Sequence, residues 1–160
     1  MKLIMKKEFK AISRIIQNNK RVLDIGCGDG ILMEYLKINQ KNDVRGLEPQ
    51  KDLVQKCIAK GLSVIEGDAE KELVQFPEKS FDYVVLSQTL QAFFSPEEVL
   101  KQLLRIGKQT IVSIPNFGYW KVRLHLLNIK IYQLLYFFLY KNLQSLELYK
   151  YVNLECYTIR

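Results

Sequence analysis

The chain has 160 residues, enough for a single domain that buries roughly two-thirds of the surface its unfolded chain would expose. Hydrophobic residues make up 48% and charged residues 26%, which excludes a disordered, collagen-like or low-complexity chain. The net charge of +7 lies at the ends: residues 1–20 carry +5 and residues 121–160 carry +4, whereas residues 21–120 carry −2. A solvated basic surface explains this distribution. Nucleic-acid binding is the disfavoured alternative, because it requires clustered Lys and Arg with stacking aromatics.

Cysteine and histidine are scarce. Cys27, Cys57 and Cys156 are odd in number and form no C-x-x-C pair, which excludes a disulfide framework and argues against a zinc site. His125 is the only histidine, and we interpret it as a surface or packing residue. We therefore expect no metal. The basic N-terminus is not followed by the apolar segment of a secretory signal, so we expect a cytoplasmic protein.

The chain begins with a predicted helix whose apolar residues Phe9, Ile12, Ile15 and Ile16 share one face. Five short, β-branched apolar runs follow and predict strands, most of them apolar on successive residues, as in strands buried on both faces. These runs are Val22–Ile25, Val44–Leu47, Leu62–Ile65, Phe81–Leu86 and Thr110–Ile114.

Helical patterns separate the predicted strands. The apolar faces comprise Leu32, Tyr35 and Leu36, then Leu53, Val54, Cys57 and Ile58, and finally Val99, Leu100, Leu103 and Leu104. A short helix is expected at Glu70–Phe76, and Ser95, Pro96 and Glu98 predict a capping box at the start of the last helix. The alternation predicts an α/β fold: a doubly wound, mostly parallel sheet with helices on both faces, as in Rossmann-like proteins.

The last forty residues break this pattern. Seven of the nine tyrosines lie between residues 119 and 157, and Ile131–Tyr140 contains no charge but is too short to span a bilayer. A Tyr/Leu stripe follows helical spacing at Tyr132, Leu135, Tyr136, Leu139 and Leu143. This stripe indicates core packing or a homo-oligomer contact. A helix on a membrane surface is the disfavoured alternative.

The stretch from Val22 to Gly30, VLDIGCGDG, runs from a predicted strand into a predicted helix. Gly26 allows a tight turn and Gly28 allows the backbone to approach a ligand closely. A dinucleotide fingerprint would need a third glycine where Ile31 stands, and the flanking Asp24 and Asp29 would repel a pyrophosphate. The same carboxylates suit a ligand that carries a positive charge and amine donors.

Acidic side chains also follow the next two strands. Glu48 lies twenty-two residues after Gly26, where a carboxylate can accept both ribose hydroxyls. Asp68, in Gly67-Asp68-Ala69, is placed to accept a hydrogen bond from the exocyclic amine of adenine. Parallel strands end at one sheet edge, so these residues form one candidate site. The candidate cofactor-binding residues are Asp24, Gly26, Cys27, Gly28, Asp29, Gly30, Glu48, Pro49, Asp68, Ala69, Ser87, Gln88 and Leu90.

These motifs resemble those of the class I S-adenosylmethionine-dependent methyltransferases and, more narrowly, of the methionine biosynthesis protein MetW family. The resemblance covers about residues 14–127 and is carried by Arg21–Gly30, Phe81–Ala92, Pro115–Trp120 and the following Val122-Arg123-Leu124. It implies S-adenosylmethionine as cofactor, with the glycine loop, the acid Glu48 and Gly67-Asp68-Ala69 around it. It also implies a role in methionine biosynthesis beside homoserine O-acetyltransferase.

The chain departs from the family after its fifth predicted strand. The family usually has His where this chain has Tyr119, and the tail lacks the family's Pro and Trp residues. Seven strands are usual and five are predicted here. We therefore divide the chain into a cofactor-binding domain, 1–127, and a divergent tail, 128–160, packed on that domain or at an oligomer contact.

The function that the sequence favours is a methyltransferase. Asn116 and Tyr119 are candidates for the substrate side, and no catalytic base is evident, so neither catalytic residues nor a methyl acceptor are identified. A non-catalytic subunit that binds S-adenosylmethionine and supports homoserine O-acetyltransferase is the alternative. An NAD-dependent oxidoreductase is disfavoured by the glycine spacing and the acids.

Overall fold

The computed structural model describes residues 7–113, 149–150 and 156–159. Its strands are β1 (Arg21–Ile25), β2 (Asp43–Glu48), β3 (Ser63–Glu66), β4 (Phe81–Ser87), β5 (Gly107–Ser113), β6 (Tyr149–Lys150) and β7 (Cys156–Ile159). Its helices are α1 (Lys7–Ile15), α2 (Ile31–Gln40), α3 (Lys51–Ala59), α4 (Ala69–Glu72) and α5 (Pro96–Ile106), with short 3-10 turns at Leu73–Gln75 and Leu90–Ala92.

The strands form one sheet in the order β3-β2-β1-β4-β5-β7-β6. Strands β1 to β5 are parallel to their neighbours, β7 is antiparallel to β5, and β6 is antiparallel to β7. The five predicted strands are all present. The two tail strands were not predicted, because two and four residues are too short to show a period. The proposed domain boundary after residue 127 lies outside the described residues.

Two apolar cores cover the two faces of the sheet, which confirms the predicted doubly wound α/β fold. One core joins the sheet to α4 and α5, and the other joins it to α1, α2 and α3. Side chains alternate along each strand. Leu23 and Ile25 therefore face α5, whereas Val22 faces α1 and α2. Asp24 lies on the same side of β1 as Val22, and this places its carboxylate towards α1.

The predicted capping box at α5 is wrong. Pro96 occupies the first turn as expected, but the Ser95 side chain makes no capping hydrogen bond. The Ser95 backbone N–H instead donates to Glu70 Oε1 at 2.7 Å, so an acid at the start of α4 replaces Glu98. The sequence pattern failed here because a tertiary contact competes for the donor that the local motif would use.

No helix in the described part of the chain combines the length and the apolar character needed to cross a membrane.

Candidate functional site

The candidate site lies at the edge where the parallel strands end. The register pairs Ile25 at the end of β1 with Leu47 on one side and Leu86 on the other. Ser87, the last residue of β4, pairs with Ser113 of β5. The chain therefore leaves β1, β2 and β4 at neighbouring points, and the predicted site residues that follow these strands are brought together.

Backbone hydrogen bonds fix the glycine loop between β1 and α2. The Gly26 N–H donates to the Leu47 carbonyl at 2.8 Å, and the Gly30 N–H donates to the Cys27 carbonyl at 3.1 Å. The Gly28 N–H donates to Glu48 Oε2 at 2.9 Å. The loop is thus held by β2 before any ligand arrives, which is the preorganisation that a binding site needs.

Gly26 and Gly28 both adopt positive φ, but the space around the two residues differs. Gly26 has φ +67°, and an added Cβ would lie 2.9 Å from Thr89 Oγ1, so a side chain is excluded by packing as well as by conformation. Gly28 has φ +59°, but no atom lies within 4 Å of the position its Cβ would take. The space beside Gly28 is therefore open, as expected where a ligand approaches the backbone.

Two adjoining cavities surround the loop, and Gly26 lines both. The larger has a volume of about 340 Å³ and is lined by Glu8, Phe9, Asp24, Gly26, Cys27, Gly28, Asp29, Ile31, Leu53, Lys56, Ser87 and Gln88. The smaller, of about 170 Å³, is lined by Ile25, Gly26, Leu47, Pro49, Gly67, Asp68, Ala69, Glu70, Thr89, Ala92, Phe93 and Phe94. The larger cavity is rich in carboxylates, whereas the smaller one has mainly apolar and aromatic walls.

Asp24 is an unusual carboxylate in the larger cavity. Its side chain is 2% exposed, and neither oxygen has a hydrogen-bond partner within the described ranges. Burial, and then repulsion from Glu48, raise the pKa of Asp24 to about 7. A buried carboxylate without a donor is destabilising for the fold, so a donor supplied by a ligand would be strongly favoured here.

Glu48 is buried at the end of β2 and supports the loop. Its Oε2 accepts the Gly28 N–H, and its Oε1 accepts the Gln50 N–H at 3.1 Å. The side chain is 4% exposed. Each carboxylate oxygen can accept a second hydrogen bond, so these contacts leave acceptor capacity for ribose hydroxyls. The predicted ribose role stays a prediction.

The two cysteines near the loop are unsuited to nucleophilic chemistry. Burial raises the pKa of the Cys27 thiol far above its usual range, and the neighbouring Asp24 adds to the shift. Burial likewise raises the pKa of Cys57, whose Sγ donates to the Gly28 carbonyl at 3.3 Å. Thiols held in this form are inert at neutral pH. They pack the loop against α3.

At the smaller cavity, Asp68 is the N-cap residue of α4. Its Oδ1 accepts the Glu70 N–H at 3.1 Å, and its Oδ2 lies 3.8 Å from Lys71 Nζ. Phe93 packs against the core, whereas Phe94 is 97% exposed at the rim. The cavity therefore offers apolar walls for a flat ring and a carboxylate at its edge.

Most of the predicted cofactor residues line one of the two cavities. Three of them do not: Glu48 accepts backbone hydrogen bonds at the end of β2, Gly30 packs against Cys57 and Leu62, and Leu90 is buried in the core beside α5. Asn116, Tyr119 and His125 lie outside the described residues. Within the described residues, no group of three or more His, Cys, Asp or Glu side chains is placed to hold a metal ion.

Several residues that line the cavities are absent from the predicted site, among them Glu8, Thr89 and Phe94. One signal was available for Glu8, because it stands four residues before Ile12 on an otherwise apolar helix face. No local pattern marks Thr89, whose packing on Gly26 depends on the strand order.

Comparison with known proteins identifies the family of the chain. The family model described as methionine biosynthesis protein MetW matches residues 6–133. A bifunctional methionine biosynthesis protein MetXA/MetW from Rhodopirellula baltica is 33% identical over 72% of this chain and 20% of its own length. The chain spans between a fifth and under a half of the length of the curated relatives it matches.

Solved structures show the same fold. An S-adenosylmethionine-dependent methyltransferase from Thermotoga maritima, a possible histamine N-methyltransferase, is 27% identical, with a TM-score of 0.60 over 74% of this chain and 55% of its own. A second such methyltransferase, from Archaeoglobus fulgidus, is 20% identical, with a TM-score of 0.68 over 90% of this chain and 70% of its own. The chain thus has a methyltransferase-like fold and belongs to the MetW family of methionine biosynthesis proteins.

Proposed function

We propose that the chain binds S-adenosylmethionine across the two cavities and acts as a methyltransferase. The observation that carries the proposal is the buried Asp24 carboxylate, which lines the larger cavity and receives no hydrogen bond from any residue that the structure describes. A sulfonium ligand with a primary ammonium supplies both positive charge and N–H donors at this point.

The residues present fit the parts of this ligand. The ammonium and sulfonium charges suit the cavity that contains Asp24 and Asp29, and the open side of Gly28 admits the chain that joins them. Glu48, at the end of β2, would accept the ribose hydroxyls with the acceptor capacity that its backbone contacts leave. The adenine ring suits the apolar walls formed by Pro49 and Phe93.

The same charges disfavour NAD. A pyrophosphate in the larger cavity would lie beside Asp24 and Asp29, and α2 begins at Ile31, where the dinucleotide fingerprint has its third glycine. Lys56 is the only basic side chain among the described residues that line this cavity, whereas Glu8, Asp24 and Asp29 contribute three carboxylates. The cavity therefore favours a cationic ligand over an anionic one.

When bound, S-adenosylmethionine supplies a methyl carbon that is already activated by the sulfonium, and its transfer to a nucleophile leaves S-adenosylhomocysteine. The chain's own contribution would be to orient the ligand and exclude water from the narrow space beside the loop. The raised pKa values of the Cys27 and Cys57 thiols disfavour a covalent cysteine intermediate at neutral pH.

A second candidate function is that of a partner subunit for homoserine O-acetyltransferase. The name of the Rhodopirellula baltica relative, MetXA/MetW, supports it because that protein is described as bifunctional. In this case the same ligand would regulate the partner without losing its methyl group. Membership of a methionine biosynthesis family is compatible with both candidates.

Ligand binding and turnover separate these functions. Calorimetry should show one site for S-adenosylmethionine and S-adenosylhomocysteine and no heat with NAD, and a bound ligand should raise the melting temperature by mass action. Incubation with methyl-labelled S-adenosylmethionine and candidate acceptors then tests transfer. Binding without transfer, together with a changed rate of co-purified homoserine O-acetyltransferase, would favour the partner subunit. Binding of NAD alone would refute both.

A further inference from the structure

The leading helix α1 contributes a carboxylate to the larger cavity. Glu8 lies one turn before Ile12, so it shares the face of α1 that packs on the sheet. Its side chain is 8% exposed, and it lines the cavity together with Phe9 and Asp24. A glutamate this deeply buried on an apolar helix face is rare unless it has a partner.

The Glu8 carboxylate is already oriented by the protein. Gln88 Nε2 donates a hydrogen bond to Glu8 Oε2. The backbone of Gln88 is itself fixed, because its N–H donates to the Ser113 carbonyl at 3.0 Å and lies 3.2 Å from Ser113 Oγ. The second oxygen, Glu8 Oε1, accepts no hydrogen bond from any described residue. The helix therefore presents one fixed carboxylate with spare acceptor capacity.

A second, independent feature of the same cavity points to a cationic ligand. Asp24 is 2% exposed on β1, and neither of its oxygens has a hydrogen-bond partner in residues 7–113. The strand alternation directs it to the face of the sheet that α1 covers. Two buried carboxylates, one of them without any donor, thus line one cavity from the sheet and from the helix.

We propose that Glu8, on α1, is a further residue that binds the primary ammonium of the ligand, beside Asp24, where the proposed function already places that group. An ammonium has three N–H donors and no acceptor, so it can satisfy both carboxylates at once. This assignment rests on the proposed function, since it concerns one end of S-adenosylmethionine. It makes α1 part of the binding site, and it distinguishes ligands that keep the amino group from ligands that have lost it.

The test compares two ligands in one variant. Glu8→Gln keeps the size of the side chain and removes its charge. We expect it to weaken the binding of S-adenosylhomocysteine about tenfold, because a hydrogen bond to a charged group is lost. Binding of 5′-methylthioadenosine, which lacks the amino-acid end, should change by less than about twofold. Decarboxylated S-adenosylmethionine keeps the ammonium and should weaken like S-adenosylhomocysteine.

Controls separate a binding role from a structural one. Glu78→Gln removes an exposed carboxylate that lines neither cavity and should leave every affinity unchanged. Equal weakening of all three ligands by Glu8→Gln would overturn the proposal, because it would show a role in folding or in packing α1. Unchanged binding of S-adenosylhomocysteine would overturn it as well. If the Gln variant does not fold, Glu8→Asp, which keeps the charge, should show the same selectivity with a smaller loss.

The proposed function would fail differently. If the proposed function is wrong, neither the wild-type protein nor the Glu8 variants would bind S-adenosylhomocysteine or 5′-methylthioadenosine.

Discussion

Asp24→Asn should stabilise the ligand-free protein at neutral and alkaline pH. The carboxylate is 2% exposed, and burial, followed by repulsion from Glu48, raises its pKa from 3.8 to about 7. Between these two values the folded protein holds a proton that the unfolded chain has already released. Stability contributed by this group is therefore lost as the pH rises from about 4 to about 7, and the loss is complete above that.

The size of the effect follows from the interval between the two pKa values. At 1.36 kcal/mol per pKa unit, the step from 3.8 to about 7 corresponds to about 4 kcal/mol. Water and structural relaxation reduce the penalty of a buried charge, so we expect a gain of about 2–4 kcal/mol for Asp24→Asn at pH 8. At pH 4 the wild type and the variant should differ by less than about 1 kcal/mol.

Urea unfolding of both proteins at several pH values between 4 and 8.5 measures this difference. All other titrating groups are common to the two proteins, so the difference in the free energy of unfolding reports Asp24 together with its coupling to Glu48 and Cys27. Asp43→Asn, which neutralises an exposed carboxylate at the start of β2, serves as the control and should show no such dependence. Parallel pH profiles for the wild type and Asp24→Asn would refute the reasoning.

Four further variants test the loop and the start of α5. Gly26→Ala should lower the free energy of unfolding by about 2–4 kcal/mol, since its Cβ would lie 2.9 Å from Thr89 Oγ1 at φ +67°. Gly28→Ala meets no atom within 4 Å and should lower it by only about 1–2 kcal/mol, while calorimetry should show weaker binding of S-adenosylhomocysteine. Ser95→Ala should change stability by less than about 0.5 kcal/mol, because its side chain caps nothing, whereas Glu70→Ala should lower it by about 1 kcal/mol.

The parallel core of the fold could be read from the sequence because its signals are local. Runs such as Val22–Ile25 are buried on both faces, and the helices between them bury one regular stripe. The glycine loop carries its own conformational signature, since Gly26 and Gly28 both adopt positive φ. These features depend on neighbours within one turn or one strand, so the pattern specifies them.

The features that were missed depend on contacts distant in sequence. Glu8 reaches the cavity because α1 packs on this face of the sheet, and its partner Gln88 lies eighty residues away in the sequence. The cap of α5 differs because Glu70 competes for the Ser95 N–H. Local residue spacing cannot predict these contacts, because they form only when the order of the strands in the sheet is fixed.

The proposed function requires the two cavities lined by Gly26 to hold a single adenosyl ligand. A crystal structure of the protein with S-adenosylhomocysteine tests it directly. We predict density through both cavities, with the ammonium beside Asp24 and Glu8 and the adenine between Pro49 and Phe93. Density at another place, or cavities without ligand at a saturating concentration of S-adenosylhomocysteine, would contradict it.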